Sequence, residues 1–431
     1  ILLLETTFLA IFYAPGGLKP SLEKSREPSV LAVWLLRLLL FKLMLSSGVV
    51  KLNSGDPSWN DLSALNYHFW TQPLPHQLAW YAHNMGAFFR ESGVVLNHFV
   101  ELFLPWLIIF NPRRWSLGIW FAIVAGLLWI GVGEYSLSHV AIAGAAAAVL
   151  GGRIMPGRAD ASTGRPVAAI LIFGFMVSIG ISGNYGFFHL LSIALACVCL
   201  DDRTVYRFTP NRLLARWPQR DATTRPASRP WRLIVVAMAT VIIPLNGLQV
   251  LDLVKRDRIR AATKAVAEER GSVTDRTISW MVEKRQSARA IFGGYALVNG
   301  YGLFRTMTKT RAELIVEGSR DGKEWKLYRF KYKPSLDSDP LVYAGFHMPR
   351  LDWQMWFAAL YPRCSRRWFF GFLEALTDGS KATTALLAHN PFADKPPKYV
   401  RVRRVDAQFS DENVREKMGR VWRFEPMKDY C

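Results

Sequence analysis

Only four cysteines occur in 431 residues, too few for a disulfide scaffold. The chain also lacks a glycine-rich phosphate loop, a CxxC pair and a GxSxG nucleophile elbow, which removes the sequence basis for a P-loop NTPase, a thiol redox enzyme or an α/β-hydrolase. Acids are scarce: Asp and Glu number 34 against 54 Lys and Arg, for a formal net charge of +20. Such an excess suits either a nucleic-acid partner or the cytoplasmic loops of a membrane protein. The opening "ILLLETTFLAIFYAPGG" has neither a basic start nor a small-residue cleavage site, so it does not read as a signal peptide, and the chain is expected to begin inside a longer protein.

What is present is apolar length. Hydrophobic residues make up 51% of the chain, yet mean hydropathy is only +0.10. A split explains this: an apolar portion to about residue 252 and a polar one after it. A bilayer core takes roughly 20 helical residues, and by that ruler about eight spans are expected. They are 1–14, 29–50, 94–110, 115–132, 134–150, 167–183, 185–200 and 233–252. The basic loops "KPSLEKSREPS", "NPRRW", "GGRIMPGRADASTGRP" and "DDRTVYRFTPNRLLARW" alternate with nearly neutral ones. That is the positive-inside pattern, and it puts residues 51–93 and everything past 252 on the lumenal or periplasmic face. Because the basic residues sit between spans, membrane lipids rather than nucleic acid are the expected surroundings.

The expected fold is a polytopic α-helical membrane bundle followed by a β-rich, sandwich-like extramembrane domain with helical insertions. Its parts are a transmembrane domain (1–252) carrying a lid loop (52–93), a helical linker (253–289) and the β-rich domain (290–431). In the last, "RAELIVEGSRDGKEWKLYRFKYKP" reads as strand, turn, strand, with Tyr328, Phe330 and Tyr332 on one face, and "KYVRVRRVDAQF" as a further strand. "RLDWQMWFAALYPR" reads as a helix. "VEGSRDGKEW" is similar to the strand-turn-strand segment of discoidin-like β-sandwiches.

Ionisable residues inside spans are the first candidate site. Arg37 and Lys42 fall in the second span, His98 and Glu101 in the third, the latter two sharing a helix face. A mid-bilayer charge costs about 2.5–3.5 kcal/mol on insertion scales, so these groups should face inward and pair. They form either an internal polar site or a structural Arg37–Glu101 pair. Lys51, at a span end, either snorkels to the headgroups or serves as a desolvated base.

The second candidate is "NYHFWTQPLPHQLAWYAHNM", residues 66–85. His68, His76 and His83 lack close metal-ligand spacing, so no metal is expected there, nor any other cofactor. Trp70, Trp80 and Tyr81 suit a membrane interface, and the prolines of "TQPLP" interrupt a regular helix. The segment is expected to form a re-entrant interfacial lid. In the C-terminal part, Trp353, Trp356 and Phe357 offer apolar contact to a partner or else pack the helix onto its own domain. Cys364 and Cys431 would lie in an oxidising compartment and are a possible disulfide.

The order of several long segments resembles the lipase maturation factor family: "SGVVKLNSGDPSWNDLSALNYHFWTQPLPHQLAWYAHNM", "NHFVELFLPW", "SGNYGFFHLLSIAL", "NGYGLFRTMTKTRAELIVEGSRDGKEW", "PRLDWQMWFAALYPR" and "NPFADKPPKYVRV". The resemblance implies an integral membrane protein of the endoplasmic reticulum, chaperone-like toward secreted lipases that assemble into active dimers. In a bacterium it implies the inner membrane and some other exported hydrolase as client. The membrane portion is more distantly similar to vitamin K-dependent γ-carboxylases, whose catalytic base is a lysine in a context like "SGVVKL". That likeness implies a second possibility, a membrane enzyme with Lys51 or His98 as base and Glu101 and Arg37 orienting.

Overall fold

The computed structural model describes residues 1–14, 27–113, 116–117, 119, 163–216, 228–249, 251, 254, 256–361, 364, 366–427 and 430. Two compact units emerge. The first comprises Ile1–Asp61, Val94–Met176 and Leu190–Thr306, the second Leu62–Gly93, Val177–His189 and Met307–Cys431.

The first unit is helical. Its elements are α1 (Leu2–Tyr13), α2 (Val30–Leu52), α3 (Pro57–Asn60), the C-terminal part of α6 (Ala87–His98), a π-helical turn (Phe99–Phe103) and α7 (Leu104–Phe110). After them come most of α8 (Gly164–Ser182), α9 (Phe188–Cys197), α10 (Arg229–Leu248), α11 (Arg256–Ala267) and α12 (Val273–Phe292). Four helical stretches among the described residues are long and apolar enough to cross a bilayer: Val30–Leu52, Ala87–Phe110, Gly164–Ser182 and Arg229–Leu248. Leu2–Tyr13 and Phe188–Cys197 are apolar but shorter. The span expected at 134–150, and nearly all of that at 115–132, lie outside the described residues, as do most of the basic loops. α2 is the hub, packing against α1, the π turn, α7 and α10. Its row Leu35, Leu36, Leu39, Leu40 and Leu43 is fully buried. α10 by contrast leaves Leu233, Ile234, Val236 and Ile243 exposed, the pattern of a helix that faces lipid. α11 and α12 form an antiparallel hairpin around Ala262 and Ile278, and α12 starts on a Ser272–Asp275 capping box.

The second unit is built on one antiparallel sheet in the order β2-β1-β3-β4, with β1 Ala312–Ser319, β2 Lys326–Leu327, β3 Tyr399–Phe409 and β4 Trp422–Pro426. Register pairs Val316 with Val402 and Ala407 with Phe424. On one face Leu314, Val316 and Val402 pack against Met355 and Ala358 of α13 (Arg350–Ala359) and Phe369 and Phe372 of α14 (Arg367–Thr377). On the other face Ala407 and Trp422 meet Trp80 and Leu341. Trp80 belongs to α5 (Gln77–Asn84), which follows α4 (Ala64–Thr71) across "QPLPH", so the prolines do interrupt the helix. A last helix, α15 (Glu412–Met418), joins β3 to β4.

A second sheet packed on the first, as a sandwich requires, is not seen among the described residues; helices cover the sheet instead. The strand expected across Lys326–Tyr332 is also shorter. Asp352 takes the amides of Tyr332 and Lys333 at 2.9 and 3.0 Å, and Arg329 bridges to His389, so the ladder ends after Leu327 while Tyr328 and Phe330 still enter the core.

Candidate functional site

Helices satisfy their own backbone, so a charged side chain inside a bilayer must find a partner charge. In the first unit two carboxylates do this for two lysines of α2. Lys51 Nζ lies 2.6 and 2.5 Å from the two carboxylate oxygens of Glu101, with both side chains buried. Lys42 Nζ lies 2.7 Å from Glu5 Oε1, and Glu5 Oε2 accepts from Tyr301 Oη at 2.6 Å and Asn299 Nδ2 at 3.1 Å. The Lys51 pair depends on close approach: a Cβ on Gly48 would stand 2.7 Å from Leu102 Cδ2 and 3.0 Å from Glu101 Cβ. Glu101 itself sits in the π turn, which widens the helix where the carboxylate must reach α2.

Around this pair, Trp59 of α3 presents its ring 4.9 Å from the Lys51 ammonium. Its carbonyl lies 3.0 Å from His98 Nε2, and a carbonyl only accepts, so Nε2 carries the proton. His98 Nδ1 is buried with no hydrogen-bond partner among the described residues. Lys51, Glu101 and His98 are therefore brought together. Arg37 is not: its Nε donates to Val198 O at 3.2 Å and its guanidinium lies over Trp34. The Arg37–Glu101 pair is thus corrected to Lys51–Glu101. Nor does Lys51 snorkel, being 3% exposed.

The second unit has a different arrangement. Arg311, 1% exposed, donates through Nη1 to Trp70 O at 2.9 Å and to Gln72 O, and through Nη2 to Pro73 O and Glu313 Oε1 at 2.9 and 2.6 Å. Its guanidinium lies over the Trp422 ring. The prolines of "TQPLP" end α4 and interrupt regular backbone pairing, and one guanidinium fork satisfies three of the segment's carbonyls. Asn184 Nδ2 takes Leu74 O at 3.0 Å and Val342 O at 2.9 Å, while Trp356 Nε1 takes Thr71 O at 3.0 Å.

All six residues singled out in 66–85 belong to this unit. His68 Nε2 lies 2.9 Å from Tyr185 Oη. Trp70 Nε1 bonds Asn66 O. His76 caps α5, its Nδ1 accepting from Leu78 N at 3.2 Å, and burial holds its imidazole below the ordinary histidine range. Burial, then Arg90, does the same to His83, whose ring meets Phe409. Trp80 Nε1 bonds Ser410 O at 3.3 Å, and Arg415 lies over both Trp80 and the exposed Tyr81. Of the three aromatic residues on α13, Trp353 and Trp356 are half-buried and only Phe357 is exposed. Cys364 is disulfide-bonded, Cys197 and Cys199 are free, and Cys431 lies outside the described residues. Among the described residues no cluster of three or more His, Cys, Asp and Glu is placed to hold a metal ion.

Sequence reading missed Glu5 and Arg311. Glu5 had a signal, being the lone acid in "ILLLETTFLAIF". Arg311 had none, because backbone carbonyls leave no mark in a sequence.

Comparison with known proteins supplies the lineage. The family description "Lipase maturation factor transmembrane domain" matches residues 1–157, and "Lipase maturation factor C-terminal domain" matches residues 297–431. Lipase maturation factor 2 of Mus musculus is 32% identical over 462 residues, covering 95% of this chain and 62% of that protein. The Homo sapiens protein of the same name is 31% identical over 100% of this chain and 64% of its own length. Lipase maturation factor 1 of Homo sapiens is 28% identical, over 97% and 63% respectively. The chain thus spans less than two thirds of the length of these relatives. No solved structure matches it. Both family domains, in order, on an integral membrane protein with apolar spanning helices, show that the chain belongs to the lipase maturation factor family.

Proposed function

We propose that this protein is a chaperone-like maturation factor for secreted lipases or related exported hydrolases. It would hold partly folded clients on the non-cytosolic side of its membrane: the endoplasmic reticulum lumen in a eukaryote, the periplasm in a bacterium. The observation that carries this reading is the match of both family domains, together with similarity over 95–100% of this chain to relatives named for lipase maturation. Client contact belongs to the second unit, where Phe357, Tyr361, Tyr343 and Phe346 are exposed aromatics. Trp353 and Trp356 contribute indirectly by fixing α13. The test is co-expression with a secreted lipase in cells lacking their own maturation factor. Secreted activity should rise well above the empty-vector level. A membrane-inserted protein giving no rise rejects the reading. Membrane-impermeant labels at position 81, which is exposed in the same segment, and at the C-terminus should react from the same, non-cytosolic side.

A membrane enzyme using Lys51 or His98 as base is the second reading, favoured by His98 Nδ1, unpartnered among the described residues, beside an ion pair in a π turn. Against it, the Lys51 ammonium is engaged by both oxygens of Glu101, which leaves no free amine to take a proton. Lipase activation retained both in a Lys51→Met/Glu101→Leu double variant and in His98→Ala rejects the enzyme reading.

A further inference from the structure

We propose that Arg37 of α2 and Arg165 of α8, in the helical unit, form a binding site for the phosphate of a membrane phospholipid. The site does not rest on the maturation-factor reading.

Four helix ends meet there. Arg37, two turns into α2, donates through Nε to Val198 O at 3.2 Å, just past the end of α9. Arg165, the second residue of α8, donates through Nε to Ile108 O at 2.8 Å and through Nη2 to Ile109 O at 3.5 Å, in the last turn of α7. Since α2 and α8 begin near this point while α7 and α9 end near it, the four ends share one membrane face. In sequence they adjoin "KPSLEKSREPS", "NPRRW", "GGRIMPGRADASTGRP" and "DDRTVYR", the basic loops that mark a cytoplasmic side.

The charge there has no counter-charge. Both guanidiniums lie over one indole, that of Trp34, their carbons 5.7 and 4.7 Å from the ring centre, and each feels the other's field. Their remaining partners are neutral: three peptide carbonyls and, for Arg37, the Cys199 thiol. Among the described residues no carboxylate pairs with either, whereas Lys42, Lys51 and Arg311 each have one. Asp201, the first acid after α9, is turned onto Thr204 to cap a short helix, Asp202–Phe208. A guanidinium stays charged at any pH a cell reaches, so neither residue can relieve the repulsion by losing a proton. An anion between them relieves it.

The free donors and the surroundings say which anion. Carbonyls and thiol occupy two of the five N–H donors on each guanidinium, and three remain on each. Such paired forks match the oxygens of a phosphate. Both side chains are half-buried, and Arg37 lies roughly 10 Å along α2 from Val30, near the boundary of headgroups and hydrocarbon. Basic pockets between helices at that level take lipid headgroups. The adjoining flank is aromatic. Phe41, seven residues after Trp34 on the same face of α2, meets Trp106 edge-on at 5.4 Å, and Trp106 stacks on the exposed Phe110. An acyl chain hanging from the held phosphate runs along these rings, a contact that a soluble phosphate lacks.

The experiment uses the full chain in dodecyl maltoside, a detergent without phosphate, and follows the melting midpoint as dioleoyl phosphatidylglycerol is titrated in. Dioleoylglycerol supplies the same chains without phosphate; glycerophosphoglycerol supplies the headgroup without chains. A saturable rise with the phospholipid and none with the other two is expected. Arg37→Gln with Arg165→Gln should weaken the apparent affinity at least tenfold, and each single change at least threefold. A merely structural role would lower the curves with and without lipid alike and leave their difference intact. If the double variant fails to fold, the single variants decide. Arg113→Gln, an exposed charge nearby, should stay within twofold of the wild type. No rise in the wild type, an unchanged rise in the variants or an equal rise with dioleoylglycerol overturns the proposal. So does an equal rise with glycerophosphoglycerol, which would make this a site for soluble phosphates. An equal loss in Arg113→Gln overturns it too, by reducing the effect to diffuse surface charge.

Discussion

Buried cations find their partners differently in the two units, although the sheet unit too keeps a buried pair, Lys333 with Glu313 at 3.3 Å. In the helical unit each buried lysine meets a carboxylate carried by another helix, side chain to side chain, as in Lys51–Glu101 and Lys42–Glu5. In the sheet unit Arg311 is turned mainly on backbone carbonyls of a proline-interrupted loop. The difference follows from who needs hydrogen bonds. Helix backbone is self-sufficient, so the orphan there is the charge; in the loop-rich unit the orphan is the peptide group, and the charge is the remedy.

The largest effect should come from Arg311→Met, which strands three carbonyls at once and leaves Glu313 with Lys333 alone, 3.3 Å from its Oε2. Removing one member of a buried ionic network costs about 3–5 kcal/mol, and this site should lie at the top of that range. Arg311→Lys should not rescue it, since an ammonium lacks the planar fork. Thermal unfolding in nanodiscs checks both, and a wild-type melting curve for either variant would refute the carbonyl-clamp account.

Next comes Lys51→Met, which leaves Glu101 buried alone at a cost of about 3 kcal/mol. Lys51→Met with Glu101→Leu should recover most of that loss, because here charge cancels charge. No double substitution of Arg311 and Glu313 should recover comparably, the carbonyls remaining. Equal recovery in both units would erase the contrast.

Gly48→Val should cost about 1–3 kcal/mol by overpacking against Leu102. Gly174, with no atom of the described residues within 4 Å of its Cβ position, is the neutral control as Gly174→Ala.

The smallest effect concerns pH in the sheet unit. Burial lowers the native-state pKa of His76 below the ~6.5 of an unfolded histidine. The unfolded chain then binds more protons in the window beneath ~6.5, so the stabilisation is complete above that pH and declines as pH falls. Protonation also removes the Nδ1 acceptor that caps α5. The protection factor of the Leu78 amide against hydrogen exchange should fall below pH ~6, and His76→Asn, which keeps an acceptor but does not titrate, should flatten that response.

Legibility from sequence divides along the same line. The spans Val30–Leu52, Gly164–Ser182 and Arg229–Leu248 were readable because twenty apolar residues in a row have few other uses. Lys51, His98 and Glu101 stood out as ionisable groups in apolar surroundings. Their pairing did not, since Arg37, Lys42 and Lys51 are all cations on α2 and only helix depth decides which meets Glu101. Arg37 lies about 21 Å along α2 from Lys51, four turns from the carboxylate's partner. The strands β1 and β3 were readable, but their helical cover was not: α13 and α14 pack on β1 and β3 through contacts that alternation alone does not name.

The Arg311 clamp also sets a timetable for synthesis. The carbonyls it holds, at Trp70, Gln72 and Pro73, lie 241, 239 and 238 residues upstream of it. At ribosomal speeds of about 5–20 residues per second, that loop waits roughly 12–48 s before its guanidinium is made. A nascent protein of this kind therefore carries its own unfinished business while those residues are made, and for that interval it resembles the half-built clients it is proposed to tend.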